Sequence, residues 1–306
     1  MVRFALVIPT LNAGQDLDAL LESLQRQTRQ PDRFLVIDSS SEDETVPRLR
    51  AAGADIEVIS RAEFNHGGTR MKGARMAAED CEVVLFLTQD VILHTDDALE
   101  RLLKVFSDPA VGSAYGRQIP HEGAAAIERF SRFFSYGGKS ARFTRADIPR
   151  IGFRTAFCSN AFSAFRLAAL TEVGGFPERT IFGEDALAVA ELILAGHTHC
   201  YVADAVVRHS HSYTLGQEFR RYFDIGVMHA QNRKLIEDFG SPSGAGKNFV
   251  LGELRYLAGV APWRVPEAIL RTLLKYTAYK LGRREEKISL SWKKRLSMHK
   301  RYWPAG

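Results

Sequence analysis

Residues 84–90, Val-Leu-Phe-Leu-Thr-Gln-Asp, constrain the fold more than any other stretch. Val84 to Leu87 are apolar without a break, and polar residues follow at 88–90. A short run apolar at every position suits a strand covered on both faces, as in a parallel sheet. Asp90 then stands just past the carboxyl end of that strand, where open α/β sheets bind ligands. A carboxylate there can anchor a divalent cation, and a cation can hold a diphosphate. The same residue can instead open a turn or cap a helix, with Asp96 and Asp97 adding charge to that helix's first turn.

Similar runs flank this one. Phe4–Ile8 reads as a strand, broken by Pro9-Thr10-Leu11-Asn12. Leu17, Leu20, Leu21 and Leu24 follow at helical spacing. Phe34–Ile37 is a second strand, ending at Asp38. A short helix, a strand over Ile56–Ile59 and a helix over Gly67–Ala78 lead to the central strand. A helix over Leu99–Phe106 and a strand over Val111–Tyr115 come after it. Strands alternating with helices predict an α/β domain whose sheet is covered on both faces. The turn after the first strand, PTLNAG, has one glycine and no GxGxxG. That argues against a dinucleotide-binding oxidoreductase.

The chain has 306 residues and a net charge of +5. The charge suits a nucleotide, a nucleic acid or a membrane surface without choosing among them. Cys81, Cys158 and Cys200 are far apart and show neither a metal spacing nor a disulfide framework, so a reducing compartment is expected. The N-terminus enters a strand without a signal-peptide pattern, and no apolar run approaches membrane-span length. An integral-membrane polysaccharide synthase is therefore not expected.

Several residues stand where chemistry is done. Asp38 ends its strand as Asp90 ends the central one. It can cap the next segment or accept hydrogen bonds from a nucleobase imide or ribose hydroxyl. In Phe64-Asn65-His66-Gly67-Gly68-Thr69-Arg70, two glycines permit a tight turn into a helix whose N-terminus favours an anion. Arg70 can fork onto a phosphate, and His66 can donate to a phosphate or a sugar; a plain glycine turn with a solvated arginine fits as well. Aromatic and basic residues interleave over 123–150, but no nucleic-acid motif accompanies them. A strand is expected over Phe157–Arg166, with Asn160 near its start. Glu184 and Asp185 open a helix, as caps or with one of them as a general base. His209 and His211 lie two residues apart, on one side of an extended segment, and imidazole is a common metal ligand. Gly216–Phe239 reads as helix and residues 241–246, SPSGAG, as a linker. That divides the chain into 1–240 and a helical, basic extension over 247–306. Trp292 and Trp303 flank much of the basic run in Arg283–Arg301. This tail suits an anionic membrane surface, or a helical cap packed on the first domain.

In order and spacing these stretches resemble the inverting glycosyltransferases of family 2, which have the GT-A fold. The resemblance runs from about Phe4 to His211. It rests on PTLNAG, IDSSSEDET, Thr69-Arg70, TQD, GED and VVRH. FNHGGTR, TQDV and KKRLSMHKRYW look more narrowly like bacterial rhamnosyltransferases that use dTDP-L-rhamnose. The resemblance implies a mainly parallel central sheet flanked by helices. It implies a nucleotide pocket lined by Pro9, Thr10 and Leu11, with Asp38 on the base and Arg70 and Gln89 close to the nucleotide. Asp90 would hold Mg²⁺ or Mn²⁺ with His209, and Asp185 would be the base. His66, Asn160 and Glu184 would contact acceptor or phosphate. Thr88-Gln89 replaces the acidic part of the usual metal motif, and Met71 stands where related sequences often have Asn. The expected reaction moves L-rhamnose from dTDP-L-rhamnose to a glycan or lipid-linked hydroxyl, at the cytoplasmic face of a membrane. A UDP-hexose transferase, a nucleotidyltransferase and a non-catalytic sugar-nucleotide-binding or glycan-binding protein are the other readings.

Overall fold

The computed structural model describes residues 2–240 and 245–304. Nine strands are described: β1 (Phe4–Thr10), β2 (Arg33–Asp38), β3 (Asp55–Val58), β4 (Val83–Leu87), β5 (Ile92–Leu93), β6 (Val111–Ile119), β7 (Ala141–Phe143), β8 (Phe162–Arg166) and β9 (Thr198–Arg208). The helices of the first half are α1 (Leu17–Gln25), α2 (Thr45–Ala51), α3 (His66–Ala77), α4 (Ala98–Leu103), α5 (Ala126–Ser135) and the single turn α6 (Ile148–Ile151). Those of the second half are α7 (Leu167–Glu172), α8 (Glu184–Leu194), α9 (Leu215–Gln231), α10 (Arg233–Asp238), α11 (Ala245–Val260), α12 (Val265–Gly282) and α13 (Leu290–Leu296).

The strands form one sheet in the order β3-β2-β1-β4-β8-β6-β9-β5, with β7 added against β9. β3, β2, β1 and β4 run parallel, as the alternation of strands and helices predicts. The second half is mixed. β8 lies antiparallel between β4 and β6, while β6 and β9 are parallel. An antiparallel return needs no helical crossover, and residues 120–161 instead make a long excursion bearing α5, β7 and α6. The expected strand over 157–166 starts only at Phe162, because Asn160 bonds into the site described below. β6 runs four residues beyond the expected Tyr115.

Alternate residues of β1 feed two cores, as a period of two requires. Phe4, Leu6 and Ile8 pack with Leu17, Leu20 and Leu85 on one face. Ala5 and Val7 pack with Met71, Ala74 and Phe86 on the other. A third cluster joins Leu187, Phe223 and Val227 to Ala278 and Trp303, so the C-terminal extension shares a core with α8 and α9. Residues 241–244 of the expected linker lie outside the described residues, and Ala245 opens α11. Among the described residues, no helix is long and apolar enough to cross a membrane.

Candidate active site

The carboxyl ends of β1, β2 and β4 open onto a cleft of about 210 Å³. Pro9, Thr10 and Leu11 line it from the end of β1, and Thr88 and Gln89 from the tip of β4. The Gln89 amide clamps these two edges together. Its Oε1 accepts from the Leu11 N–H at 2.9 Å, and its Nε2 donates to the Leu11 carbonyl at 3.3 Å. Asp38 is fully buried beside the cleft. Its carboxylate accepts from the Thr10 hydroxyl at 2.7 Å and from the Ser41 N–H and hydroxyl at 2.8 and 2.6 Å. Asp38 thus shapes both loops from within. Asn12 and Ser40, in those loops, take the left-handed backbone, with φ of 49° and 60°. Such non-glycine residues are uncommon and cluster at functional sites. Ser39 Oγ, Arg61 Nε and Arg70 Nε are buried without a hydrogen-bond partner among the described residues, and all three residues line the cleft. Buried polar atoms are normally paired, so this cleft is built for a polar ligand.

One buried network carries the candidate acid and base groups. α3 enters close to the chain at Pro177, where a Cβ on Gly67 would lie 2.1 Å from the Pro177 carbonyl oxygen; only glycine fits. Gly183, with φ of 78°, turns the chain sharply into α8. These two turns bring Arg70 and Glu184 together at 3.1 Å. Arg70 also donates to the His66 carbonyl at 3.2 Å. Asn160 donates from its side chain to Glu184 at 3.1 Å and from its backbone to Asp185 at 3.0 Å. The Ala186 N–H donates to the other Asp185 oxygen at 2.8 Å. Burial works against the Glu184 charge, but Arg70 and His66 more than offset it and hold its pKa below the usual range. Burial, and then the Glu184 charge, push Asp185 the other way, up to about 7. Two adjacent carboxylates driven apart in this way divide the labour: one stays ionised, and the other can take up a proton near neutrality.

A second cluster lies past the tip of β4. Asp90 Oδ2 is 3.3 Å from His209 Nε2 and 3.7 Å from His211 Nδ1. One ligand atom from each of the three residues lies within 4.8 Å of the others. Burial opposes the Asp90 charge, yet the His209 ring holds its pKa well below the usual carboxylate range. Burial lowers His211 to about 4, so its ring is neutral at pH 7. Gln118 Oε1 lies 2.8 Å from His209 Nδ1 and accepts from Arg132 at 3.0 Å. A guanidinium only donates, so the group facing it is the amide oxygen, and His209 Nδ1 must carry a hydrogen. Nε2 faces the Asp90 carboxylate: with a proton it donates to that carboxylate and favours its charge, and without one it is a second acceptor. Two acceptors that close need a proton or a cation between them. A carboxylate with two imidazoles, one oriented from behind, fits a divalent cation.

The family model for glycosyl transferase family 2 matches residues 5–174. Two curated relatives are each 43% identical over 304 residues, covering 99% of this chain and 96% of their own. They are the O-antigen chain rhamnosyltransferases RfbN of Salmonella typhimurium and WbaN of Salmonella anatum. The chain belongs to glycosyltransferase family 2. Among solved structures it is similar to the mannosyltransferase PcManGT from Pyrobaculum calidifontis in complex with GDP-Man and Mn²⁺. There the TM-score is 0.58 at 19% identity, covering 96% of this chain and 84% of that one. It is also similar to S. aureus TarS 1-349 in complex with UDP, with a TM-score of 0.53 at 16% identity over 93% of this chain and 91% of that one. These likenesses place the fold among GT-A glycosyltransferases. As a family 2 member, the chain is an inverting glycosyltransferase.

The structure gathers Pro9, Thr10, Leu11, His66, Arg70 and Gln89 at one cleft, with Asp38 beneath its edge. Arg70, Glu184, Asn160 and Asp185 form the single network above, and Asp90 and His209 a separate cluster. His211, which the sequence offered with His209 as a pair on one side of an extended segment, joins that cluster. Gln118 and Arg61 carried no sequence signal, and Arg301 showed only as part of the basic run and of KKRLSMHKRYW, not as a cleft residue. Gln118 lies mid-strand, and the two arginines meet across 240 residues, where Arg301 donates to the Arg61 carbonyl. Replacing Gln118 by Leu removes the acceptor that fixes the His209 tautomer. The expected result is a rise of about 10–100-fold in the Mn²⁺ concentration needed for half-maximal activity, read by metal titration of turnover. An unchanged titration would remove His209 from the metal site.

Proposed function

We propose that this enzyme transfers L-rhamnose from dTDP-L-rhamnose to a hydroxyl of a growing cell-surface or lipid-linked glycan, with Asp185 as general base. The 43% identity to two O-antigen chain rhamnosyltransferases, along nearly the whole chain, carries the choice of sugar and acceptor class. The raised proton affinity of Asp185, beside an ionised Glu184, supports its role. The acceptor hydroxyl gives its proton to the Asp185 carboxylate as its oxygen bonds to the anomeric carbon. The bond from that carbon to the nucleoside diphosphate breaks on the opposite side, so configuration inverts. Asp90, His209 and His211 would hold Mg²⁺ or Mn²⁺, whose charge stabilises the departing diphosphate. Arg70 and Asn160 keep Glu184 ionised and Asp185 aimed.

The base must be ionised to act, so activity is lost as pH falls through the Asp185 pKa. We expect kcat/KM to decline below about pH 7. Asp185→Asn should lower kcat by about 10²–10⁴-fold with little change in the donor KM, measured with dTDP-L-rhamnose and a rhamnose-accepting glycan. Turnover of UDP-hexoses in preference to dTDP-L-rhamnose would overturn the donor. Near-normal turnover by the variant would move the base elsewhere.

We also propose that the enzyme works against the cytoplasmic face of an anionic membrane. Ile269, Leu273 and Tyr276 recur on α12 at helical spacing and are exposed, Leu273 by 59% and Tyr276 by 63%. Trp263, exposed by 74%, precedes that helix; Lys280 in its last turn and Arg284 and Lys287 just beyond its end are exposed as well. Each basic residue near an anionic leaflet contributes about 1 kcal/mol. Lys293 contributes less than its sequence suggests, because it is paired with Glu285 and packed on Trp303. The protein should sediment with vesicles containing anionic lipid, and the double substitution Leu273→Ser, Tyr276→Ser should reduce that fraction severalfold. Equal sedimentation of both proteins would assign the stripe another role.

A further inference from the structure

Residues 297–303 lie beyond the stretch matched by the family model, yet they reach the nucleotide-side cleft. They are held there from several sides. Ser297 is fully buried, and Asp224 of α9 accepts from the backbone N–H groups of Met298 and His299 at 2.9 and 3.4 Å. The His299 ring meets the His66 ring edge to face, with centroids 4.8 Å apart, and stacks against Phe182 at 6.4 Å. The Tyr302 hydroxyl donates to Gln231 at 2.7 Å, and Trp303, 6% exposed, enters the core beside α9 and α12. Between these anchors Arg301 donates to the Arg61 carbonyl at 3.0 Å and lines the cleft.

The cleft has three arginines in its walls. Arg61 is paired with Glu42 at 2.9 Å and Arg70 with Glu184 at 3.1 Å. Among the described residues Arg301 has no carboxylate partner, so it brings the cleft a positive charge that no side chain offsets. A guanidinium in that position, with donors to spare, matches the phosphate and carbonyl oxygens of a nucleotide.

We infer that the C-terminal segment is a strap that completes the donor site, and that Arg301 donates to an oxygen of the bound nucleoside diphosphate. This rests on the nucleotide-sugar reading of the cleft and adds to it a contact from outside the family's matched region. The strap joins that contact to the far end of the network. From His299 the path runs through His66 to Arg70 and Glu184, beside Asp185.

The test is calorimetric titration of the full chain with dTDP and with thymidine at fixed Mn²⁺. Arg301→Gln should weaken dTDP binding by about ten- to a hundredfold, the usual worth of a charge-assisted hydrogen bond. Arg301→Lys, which keeps the charge but loses the fork, should fall between the two. Lys300→Gln, the exposed neighbouring charge, should leave dTDP binding within about twofold. A loss confined to dTDP places the contact on phosphate, and a loss shared with thymidine places it on the nucleoside; either supports the strap. Thermal melting of each variant checks that the fold is kept. Unchanged dTDP affinity in Arg301→Gln, or an equal loss in Lys300→Gln, overturns the inference. Wild-type protein that binds none of dTDP, UDP and GDP overturns instead the nucleotide-sugar reading beneath it.

Discussion

The buried pair between Arg70 and Glu184 governs the rest of the site. Both side chains are almost fully removed from solvent. Taking two such ions out of water costs several kcal/mol each, and their attraction offsets this only with good geometry and further hydrogen bonds. Those bonds are present: Asn160 donates to Glu184, and Arg70 donates to the His66 carbonyl. The pair ties α3, which lines the cleft, to α8, which carries Asp185. Its second consequence is electrostatic. A Glu184 held in its charged form stands next to Asp185 and raises the proton affinity of that carboxylate. In the proposed mechanism, donor binding and proton transfer thus depend on one contact.

In the proposed mechanism the two acidic clusters divide the chemistry of a displacement. At Asp90 the balance of groups favours the ionised carboxylate, and a fixed imidazole faces it. At Asp185 the balance favours proton uptake. Stabilising charge on a leaving group calls for the first arrangement, and relieving an attacking hydroxyl of its proton calls for the second. Glu184 alone could not serve as such a base, since its partners keep it ionised far below neutrality and leave it a weak proton acceptor.

Much of this was legible in the sequence because parallel strands are buried on both faces and write themselves as unbroken apolar runs. Val84–Leu87 and Phe34–Ile37 each end at a polar step, so Asp38 and Asp90 could be placed at a sheet edge without knowing the sheet. Asp185 was legible as an acid opening an apolar helix. The direction of β8 was not, since a five-residue strand reads the same parallel or antiparallel, and its partners lie up to 83 residues away. The interior role of Asp38 was hidden because local pattern does not tell which polar groups will close over a carboxylate. Gln118, and the place of Arg301 at the cleft, were hidden for the same reason. Their importance lies in contacts across 91 residues, with His209, and across 240, with Arg61. The tail's basic run read equally well as a surface patch or a cap, and the structure uses its two ends differently. Trp303 and Lys293 are packed inward, while Trp292 remains exposed.

The most direct test of the central claim is the titration of Asp185 itself, followed by carbon NMR in protein labelled at the aspartate carboxyl carbons. Asp185→Asn identifies the resonance by its disappearance. The account predicts a titration near pH 7 in the unmodified protein. It further predicts a fall toward the ordinary carboxylate range in Glu184→Gln, where the neighbouring charge is gone and Arg70 acts on Asp185 unopposed. An Asp185 that titrates in the ordinary range in both proteins would contradict it.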